Sequence, residues 1–326
     1  MVKNELQKEL QEAISGVEKK FGKGSIMSFG DGTTMDVNFI STGSLSLDDA
    51  TGGGFPCGRI VEIYGPQSSA KTTLAYHAMA EGQKLGRAVA LIDAEQSFDP
   101  SYAAKCGLDT GNFYIAQPGS GEEGLQIAED LIKSGTFGVI VIDSVAALTP
   151  RAELEGAIGD SHMGLLARLM GQATRKMLAV INKTDTVVIF INQTRMNIGG
   201  YGSPVVTPGG MALKFAASVR VELRARKIDE GQDGIRVYAK IVKNKVAPPF
   251  KTAEFDVMYN EGISVEGEIL DLAIEKGIIK MSGSWVKYRD ESVAQGKESA
   301  KKWLKENPEI LTNIKKEIRE RVNQTS

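Results

Sequence analysis

What most constrains this chain is a pattern repeated between about residues 58 and 193: short runs of Val, Ile and Leu with no polar face, separated by stretches of helical spacing. Ile60–Tyr64 is one such run and Thr72–Lys84 follows with helical spacing. Ala88–Ile92 ends in Asp93-Ala94-Glu95, and Gly121–Lys133 reads as a helix. GVIVIDS (Gly138–Ser144) ends in an acid, Met163–Asn182 reads as a helix, and TVVIFINQ (Thr186–Gln193) is a further apolar run. A strand apolar on both faces must be covered on both, which points to an α/β fold with a mostly parallel central sheet between helical layers. From Val219 through Val257 the pattern turns strand-like with polar alternation, and beyond Val265 it is mixed and lysine-rich, ending in a helix around Pro308–Val322.

Two glycine- and proline-rich stretches interrupt the rhythm, Glu155–Asp160 and Asn197–Gly210. Loops of that length inside a compact domain usually carry function. At the N-terminus, Leu6, Leu10, Ile14 and Val17 recur at helical steps until Phe21-Gly22-Lys23-Gly24 breaks the pattern. A lone helix of this kind is marginal in water, so its apolar stripe must dock on its own core or on a neighbouring subunit.

No apolar run approaches the roughly 20 residues needed to span a bilayer, and the charged N-terminus lacks the apolar centre of a signal peptide, so the expectation is a cytoplasmic protein with no membrane partner. Cys57 and Cys106 belong to no C-x-x-C and only two histidines exist, so zinc spacing is absent and both thiols read as reduced structural residues. The formal net charge of −2 argues against a globally basic coat but leaves local basic surfaces open.

The stretch GPQSSAKTT, Gly65 to Thr73, lies between a predicted strand and a predicted helix. That is the setting of the phosphate-binding loop G-x-x-x-x-G-K-[ST], except that Ala70 stands where the second glycine belongs. Gly65, Pro66, Gln67, Ser68, Ser69, Ala70, Lys71, Thr72 and Thr73 then form a nucleotide cradle. Its backbone N–H groups and the helix N-terminus face the phosphates. Lys71 is expected on the terminal phosphates and Thr72 on Mg²⁺, with Asp143 holding the metal through water. In a parallel sheet the strand tips share one edge, so Glu95 is placed to activate the attacking water and Gln193 to sense the γ-phosphate. ATP with Mg²⁺ is the expected cofactor. If Ala70 needs a positive φ, its methyl costs on the order of 1 kcal/mol; the expectation is retained but weakened ATP binding and slowed hydrolysis.

In FGKGSIM (Phe21–Met27), GPQSSAKTT, DAEQSFDPSYA (Asp93–Ala103), VIVIDSVAALTP (Val139–Pro150), GDSHMGLLARLM (Gly159–Met170), INQTRMNIG (Ile191–Gly199), GGMALKFAASVR (Gly209–Arg220) and VKNKVAPPF (Val242–Phe250), the chain resembles the bacterial RecA recombinase family nearly end to end. The resemblance implies a RecA-like P-loop ATPase core, an N-terminal helical arm and a small C-terminal α+β domain, with bounds of 1–33, 34–264 and 265–326. It implies filaments on single-stranded DNA, homologous pairing with duplex DNA, strand exchange in recombinational repair and the SOS response, and a LexA-like repressor as a further partner. Residue by residue, Glu95 resembles the catalytic glutamate and Gln193 the sensor linked to DNA. Asp99 and Tyr102 match the residues that hold adenine, and Lys243 and Lys245 match the pair that reaches the γ-phosphate of an adjoining protomer. The loops at about 155–163 and 194–210 match the DNA-binding loops. Met163, Arg168 and Arg175 go with the first, the arginines suited to phosphate contacts. Met196 and Ile198 go with the second, where an aliphatic side chain wedges between base steps, and Gly209 and Gly210 admit backbone N–H groups to phosphates.

The chain departs from the family pattern at Gln67 for Glu, Ala70 for Gly, Asn197 for Lys, Val205 for an acid and Pro208 for Thr. The second loop is a residue shorter, and the chain ends ERVNQTS where the family carries an acidic tail. These changes bear on the coupling of hydrolysis to DNA and on autoinhibition, not on the fold. Lys301–Val322 is a basic amphipathic stretch that the resemblance assigns to duplex capture, and that Leu304, Leu311 and Ile314 equally explain as a packed helix with a solvated face. Two other functional readings are an ATP-holding DNA-filament protein with weak or no hydrolysis, favoured by Ala70, and a ring-shaped helicase or clock-type ATPase sharing the core.

Overall fold

The computed structural model describes residues 2–23, 25–26, 37–162, 164–196, 205–228 and 233–325. The chain divides into two compact units, residues 1–37 and 38–326. The first is built on one helix, Val2–Phe21, which stops where the Gly22 N–H bonds back to the Glu18 carbonyl at a φ of +97°. Leu6 and Leu10 of its apolar stripe are 67% and 59% exposed.

The second unit is organised by a nine-stranded sheet. Across it the strands run Gly262–Ile263, Thr252–Met258, Gly234–Asn244, Val219–Lys227, Arg59–Gly65, Val187–Gln193, Phe137–Asp143, Ala88–Asp93 and Tyr114–Ala116. The last six are mutually parallel and the first three are added antiparallel. The uninterrupted Val/Ile runs sort by period two onto opposite faces. Val61, Ile63, Leu91, Val141 and Ile189 enter one core with Leu74 and Met79 of the helix Lys71–Lys84. Ile60, Ile92, Ile142 and Phe190 enter the other, with Leu125 and Ile132 of the helix Gly121–Ser134 and Met170 and Met177 of the helix Leu165–Ile181. After Arg59–Gly65 the chain skips two strand positions to Ala88–Asp93. In sheets with such a crossing the ligand-binding edge lies at the strand C-termini, here beside Gly65.

Local signals set the helix ends. Ser120 caps Gly121–Ser134 by accepting from the Glu123 N–H, while the Glu123 carboxylate accepts from the Gly119 N–H at 2.8 Å. Asp99 caps Pro100–Lys105, with proline at the first helical position. The predicted helix Met163–Asn182 is Leu165–Ile181, opened by Gly164 at φ +80°. Strands Val219–Lys227, Gly234–Asn244 and Thr252–Met258 account for the alternating region.

From Val265 onward, helices Val265–Glu275, Lys297–Glu306 and Pro308–Thr325 pack with a three-stranded antiparallel sheet, Ile279–Ser282, Trp285–Tyr288 and Glu291–Gln295. The basic stretch expected as one amphipathic element is two helices, because Pro308 cannot continue the first and starts the second. Leu304 and Ile314 are fully buried in this domain's core and Leu311 packs against it.

Candidate nucleotide site

The strand Arg59–Gly65, the turn after it and the helix Lys71–Lys84 form a strand–loop–helix. Gly65 is dictated by space: a Cβ there would lie 2.3 Å from the Leu223 carbonyl oxygen and 2.8 Å from Ser69 Oγ. Ser68 and Ala70 both take left-handed backbone, at φ +58° and +65°. The alanine in the glycine position therefore does carry the strained conformation, while its side chain packs, half-buried, against the core on one sheet face.

Lys71 is buried, and its ammonium donates to the Pro66 carbonyl inside the curve of the loop at 2.6 Å. Burial pulls its pKa down, opposed by the charges of Asp143 and Glu95. Thr72 Oγ1 donates to Asp143 Oδ2 at 2.7 Å. Asp143, 5% exposed at its strand tip, has its pKa pushed up to about 6 by burial, with Glu95 and Asp93 adding to the rise and Thr72 and Lys71 opposing it. A hydroxyl and a carboxylate side by side are hard oxygen donors suited to Mg²⁺, which keeps the rest of its shell as water and phosphate. The residues present fit such a metal.

Glu95 lies beyond the tip of Ala88–Asp93, and its Oε1 accepts from Ser144 Oγ and from Gln193 Nε2, the latter at 2.9 Å. The sheet thus brings Lys71, Thr72, Asp143, Glu95 and Gln193 to one edge. The Ala94 and Glu95 N–H groups both bond the Asp143 carbonyl, at 2.8 and 3.2 Å. Buried Asp93 accepts from the Ser97 and Phe98 N–H groups and from Gln117 Nε2, fixing the turn that carries Glu95. Ser144 and Asp93 were missed by sequence reasoning; their signal was a polar residue flanking an apolar strand end, which does not say what it holds. Tyr102 Oη shares a hydrogen bond of 2.9 Å with Thr73 Oγ1, and burial raises its pKa to about 12. Asp99 is exposed, with Oδ1 engaged in capping its helix.

Other predicted residues lie elsewhere. Lys243 is level with Arg220 and Glu62, three residues before Gly65 along the strands, so the chain does not bring it to its own cradle. Its ammonium donates to the Lys214 and Phe215 carbonyls at 2.7 and 2.9 Å, and Lys245 is exposed nearby. Arg168 and Arg175 are exposed on the helix Leu165–Ile181, as the sequence placed them, seven residues apart and so on one face. Gly209 and Gly210 have φ of +86° and +74°, and added Cβ atoms would meet Val145 Cγ1 and Ala167 Cβ at 2.9 Å each, so packing alone demands glycine at both. Arg195–Met196 pairs antiparallel with Val205–Val206. Met163, Asn197 and Ile198, and the Met196 side chain, lie outside the described residues. No helix among the described residues is long and apolar enough to cross a membrane.

A parallel sheet with a phosphate-loop cradle and a carboxylate held beside it defines the class, a P-loop nucleotide-binding core. The RecA N-terminal domain family matches residues 8–264 and the RecA C-terminal domain family residues 267–323. The chain is 54% identical over 321 residues to Protein RecA of Clostridium botulinum (strain Alaska E43 / Type E3), covering 97% of this chain and 90% of that one. It is 54% identical to Protein RecA of Lactiplantibacillus plantarum over 316 residues (95% of this chain, 83% of that one) and 52% identical to that of Staphylococcus epidermidis over 324 residues (98% and 93%). Among solved structures, the RadB recombinase superposes with a TM-score of 0.54 at 25% identity, over 69% of this chain and 98% of that one. The chain belongs to the RecA family of recombinases. The non-hydrolysing alternative is not favoured by matches of this extent.

Proposed function

We propose that the protein is a DNA-dependent ATPase whose hydrolysis of Mg²⁺-ATP drives filament turnover and strand exchange on single-stranded DNA. The observation carrying this reading is the convergence of Lys71, the Thr72–Asp143 pair and the Glu95–Gln193 pair on one sheet edge. Lys71 leaves the Pro66 carbonyl for the terminal phosphates. Thr72 and Asp143 would hold Mg²⁺, which would supply neutralisation of charge on the phosphates. Glu95 orients a water and takes its proton, and Gln193, already bonded to Glu95, reports the γ-phosphate to the segment that follows it. Tyr102 and Asp99 hold the adenine from the far side of Thr73.

Lys243 and Lys245 serve a neighbouring protomer's nucleotide, which makes assembly depend on ATP because two cations gain a phosphate partner only in the filament. Arg168 and Arg175 contact DNA phosphates, with Met163, Met196, Ile198, Gly209 and Gly210 completing the DNA surface. The arm 1–33 mediates assembly, residues 34–264 form the ATPase core and 265–326 the C-terminal domain. A LexA-like repressor and a cytoplasmic location belong to the same reading. ATP hydrolysis measured against single-stranded DNA concentration tests it: saturable stimulation is expected, and a rate indifferent to DNA would refute it.

A further inference from the structure

Behind the nucleotide edge the sheet buries a polar relay among valines and isoleucines. Glu62, fully buried in Arg59–Gly65, accepts from Asn192 Nδ2 at 3.0 Å on one neighbouring strand and from Arg220 Nε at 2.5 Å on the other. Arg220 also lies over the Tyr64 ring, 4.7 Å from its centroid. Asn192 Nδ2 makes a second bond, to the Pro208 carbonyl at 3.1 Å, and Asn192 Oδ1 accepts from the Gln193 N–H at 3.0 Å. Both hydrogens of that amide are thus committed, one to the sheet and one to the chain entering Gly209–Gly210. An ionised carboxylate only accepts, so Glu62 dictates which way round the Asn192 amide stands. A buried ion pair is seldom the most stable filling for such a site, since apolar residues of similar volume do as well or better. Its use here calls for a role besides stability.

The segment beyond Pro208 leads through Gly209 and Gly210 into the short helix Ala212–Ala216. The last carbonyls of that helix hold the Lys243 ammonium. Asn192 therefore touches the backbone of the residue bonded to Glu95 and, with the same side chain, the segment that ends at Lys243.

We propose that Glu62 is a positioning residue for the DNA response of the ATPase: by orienting Asn192 it clamps the Pro208 carbonyl to the strand that carries Gln193, so that movement at the nucleotide edge and movement of residues 208–216 are linked. The inference rests on the proposed nucleotide site, and it adds a link beside Gln193 itself. The linkage is reciprocal for binding: the factor by which DNA changes nucleotide affinity is the factor by which nucleotide changes DNA affinity.

Glu62→Gln tests it in the full-length chain. The new amide oxygen can still accept from Arg220, but its NH₂ then faces Asn192, which must turn over, presenting its oxygen to the Pro208 carbonyl and its NH₂ to the Gln193 N–H, so that both ends of the clamp are lost. The isosteric change leaves Arg220 without its buried counter-charge, so a lower thermal midpoint is expected and the assays are run well below it, with the parent and variant compared as folded proteins. Nucleotide binding and DNA-free hydrolysis are expected within about threefold of the parent, while kcat with saturating single-stranded DNA falls about tenfold, the size of a typical coupling. The double variant Glu62→Gln/Asn192→Asp is expected to lose no more DNA stimulation than Glu62→Gln alone, because both act through one clamp. Full DNA stimulation in Glu62→Gln, equal losses with and without DNA, or independent losses in the double variant would each overturn the proposal.

Amide hydrogen exchange of residues 205–216 gives a readout independent of turnover. Addition of a non-hydrolysable ATP analogue with Mg²⁺ is expected to change exchange in the parent chain and not in Glu62→Gln; the same change in both would also overturn it. A parent chain whose ATPase ignores DNA contradicts the proposed function instead, and the exchange experiment still decides the clamp.

Discussion

Replacing Asp143 by Asn is expected to make the nucleotide-free protein more stable at pH 8 while removing its metal site. The folded carboxyl has its pKa raised from 3.8 to about 6, mainly by burial. Between those values the folded chain keeps a proton that the unfolded chain releases, so the group favours folding in acid and that contribution is lost as pH rises through about 6. Above that pH the fold holds a buried charge whose cost, at 1.36 kcal/mol per unit, is about 3 kcal/mol. The asparagine oxygen can still accept from Thr72 Oγ1 and carries no charge, although its NH₂ needs an acceptor, so a net gain of about 1–3 kcal/mol is expected at pH 8. At pH 5 the folded aspartate is largely protonated while the unfolded one is not, so the gap narrows by about half, and the two proteins converge only below about pH 3.8. Asp48, raised to about 6 by the same cause, is common to both and cancels in the comparison. Urea denaturation of parent and variant at the two pH values, without nucleotide, measures the gap. An asparagine variant less stable than the parent at pH 8, or a gap independent of pH, would refute the reasoning.

Three further outcomes are expected. Ala70→Gly relieves left-handed strain of about 1–2 kcal/mol but loosens the unfolded chain by about 0.5–1 kcal/mol and removes a packed methyl; stability should move by less than about 1 kcal/mol and ATP affinity by less than about threefold, and a tenfold tighter Kd by titration calorimetry would show that the methyl obstructs the phosphates. Glu95→Gln should keep ATP binding and lose at least about 10²-fold in single-turnover hydrolysis, the low end for a positioned general base; a smaller loss would remove Glu95 from that role. Arg168→Ala and Arg175→Ala should each lower the slope of log K against log salt for single-stranded DNA by about 0.7, one phosphate apiece; an unchanged slope would return both arginines to ordinary surface charge.

Much of the fold was legible because both-face apolar runs such as Val139–Ile142 admit one environment, and the acids ending them had to share an edge once the sheet was parallel. The Thr72–Asp143 pair follows from that logic together with the phosphate-loop motif. Lys243 was beyond it: pattern shows a lysine in an alternating strand, and only the antiparallel register reveals that it sits three residues below the cradle. Gly209 and Gly210 read as openings for phosphate, whereas the close approach of Val145 and Ala167 depends on a helix packed from elsewhere in the chain. Ser144 and Asp93 were invisible because a hydrogen-bond partner 49 residues away, in the case of Ser144 and Glu95, leaves no local trace. A left-handed φ at Ala70 was one of the open readings of the sequence, and the structure adopts it, with the methyl packed on the core, since a side chain's direction depends on the surrounding fold.

Lys71 is proposed to exchange the Pro66 carbonyl for nucleotide phosphates. Equilibrium binding of ATP with Mg²⁺ to the full-length chain and to Lys71→Ala, by titration calorimetry, tests this most directly. The parent should bind one nucleotide per chain and Lys71→Ala at least about tenfold more weakly, the loss of one charge-assisted contact. No binding by the parent at millimolar ATP, or equal affinity in the two, would contradict it.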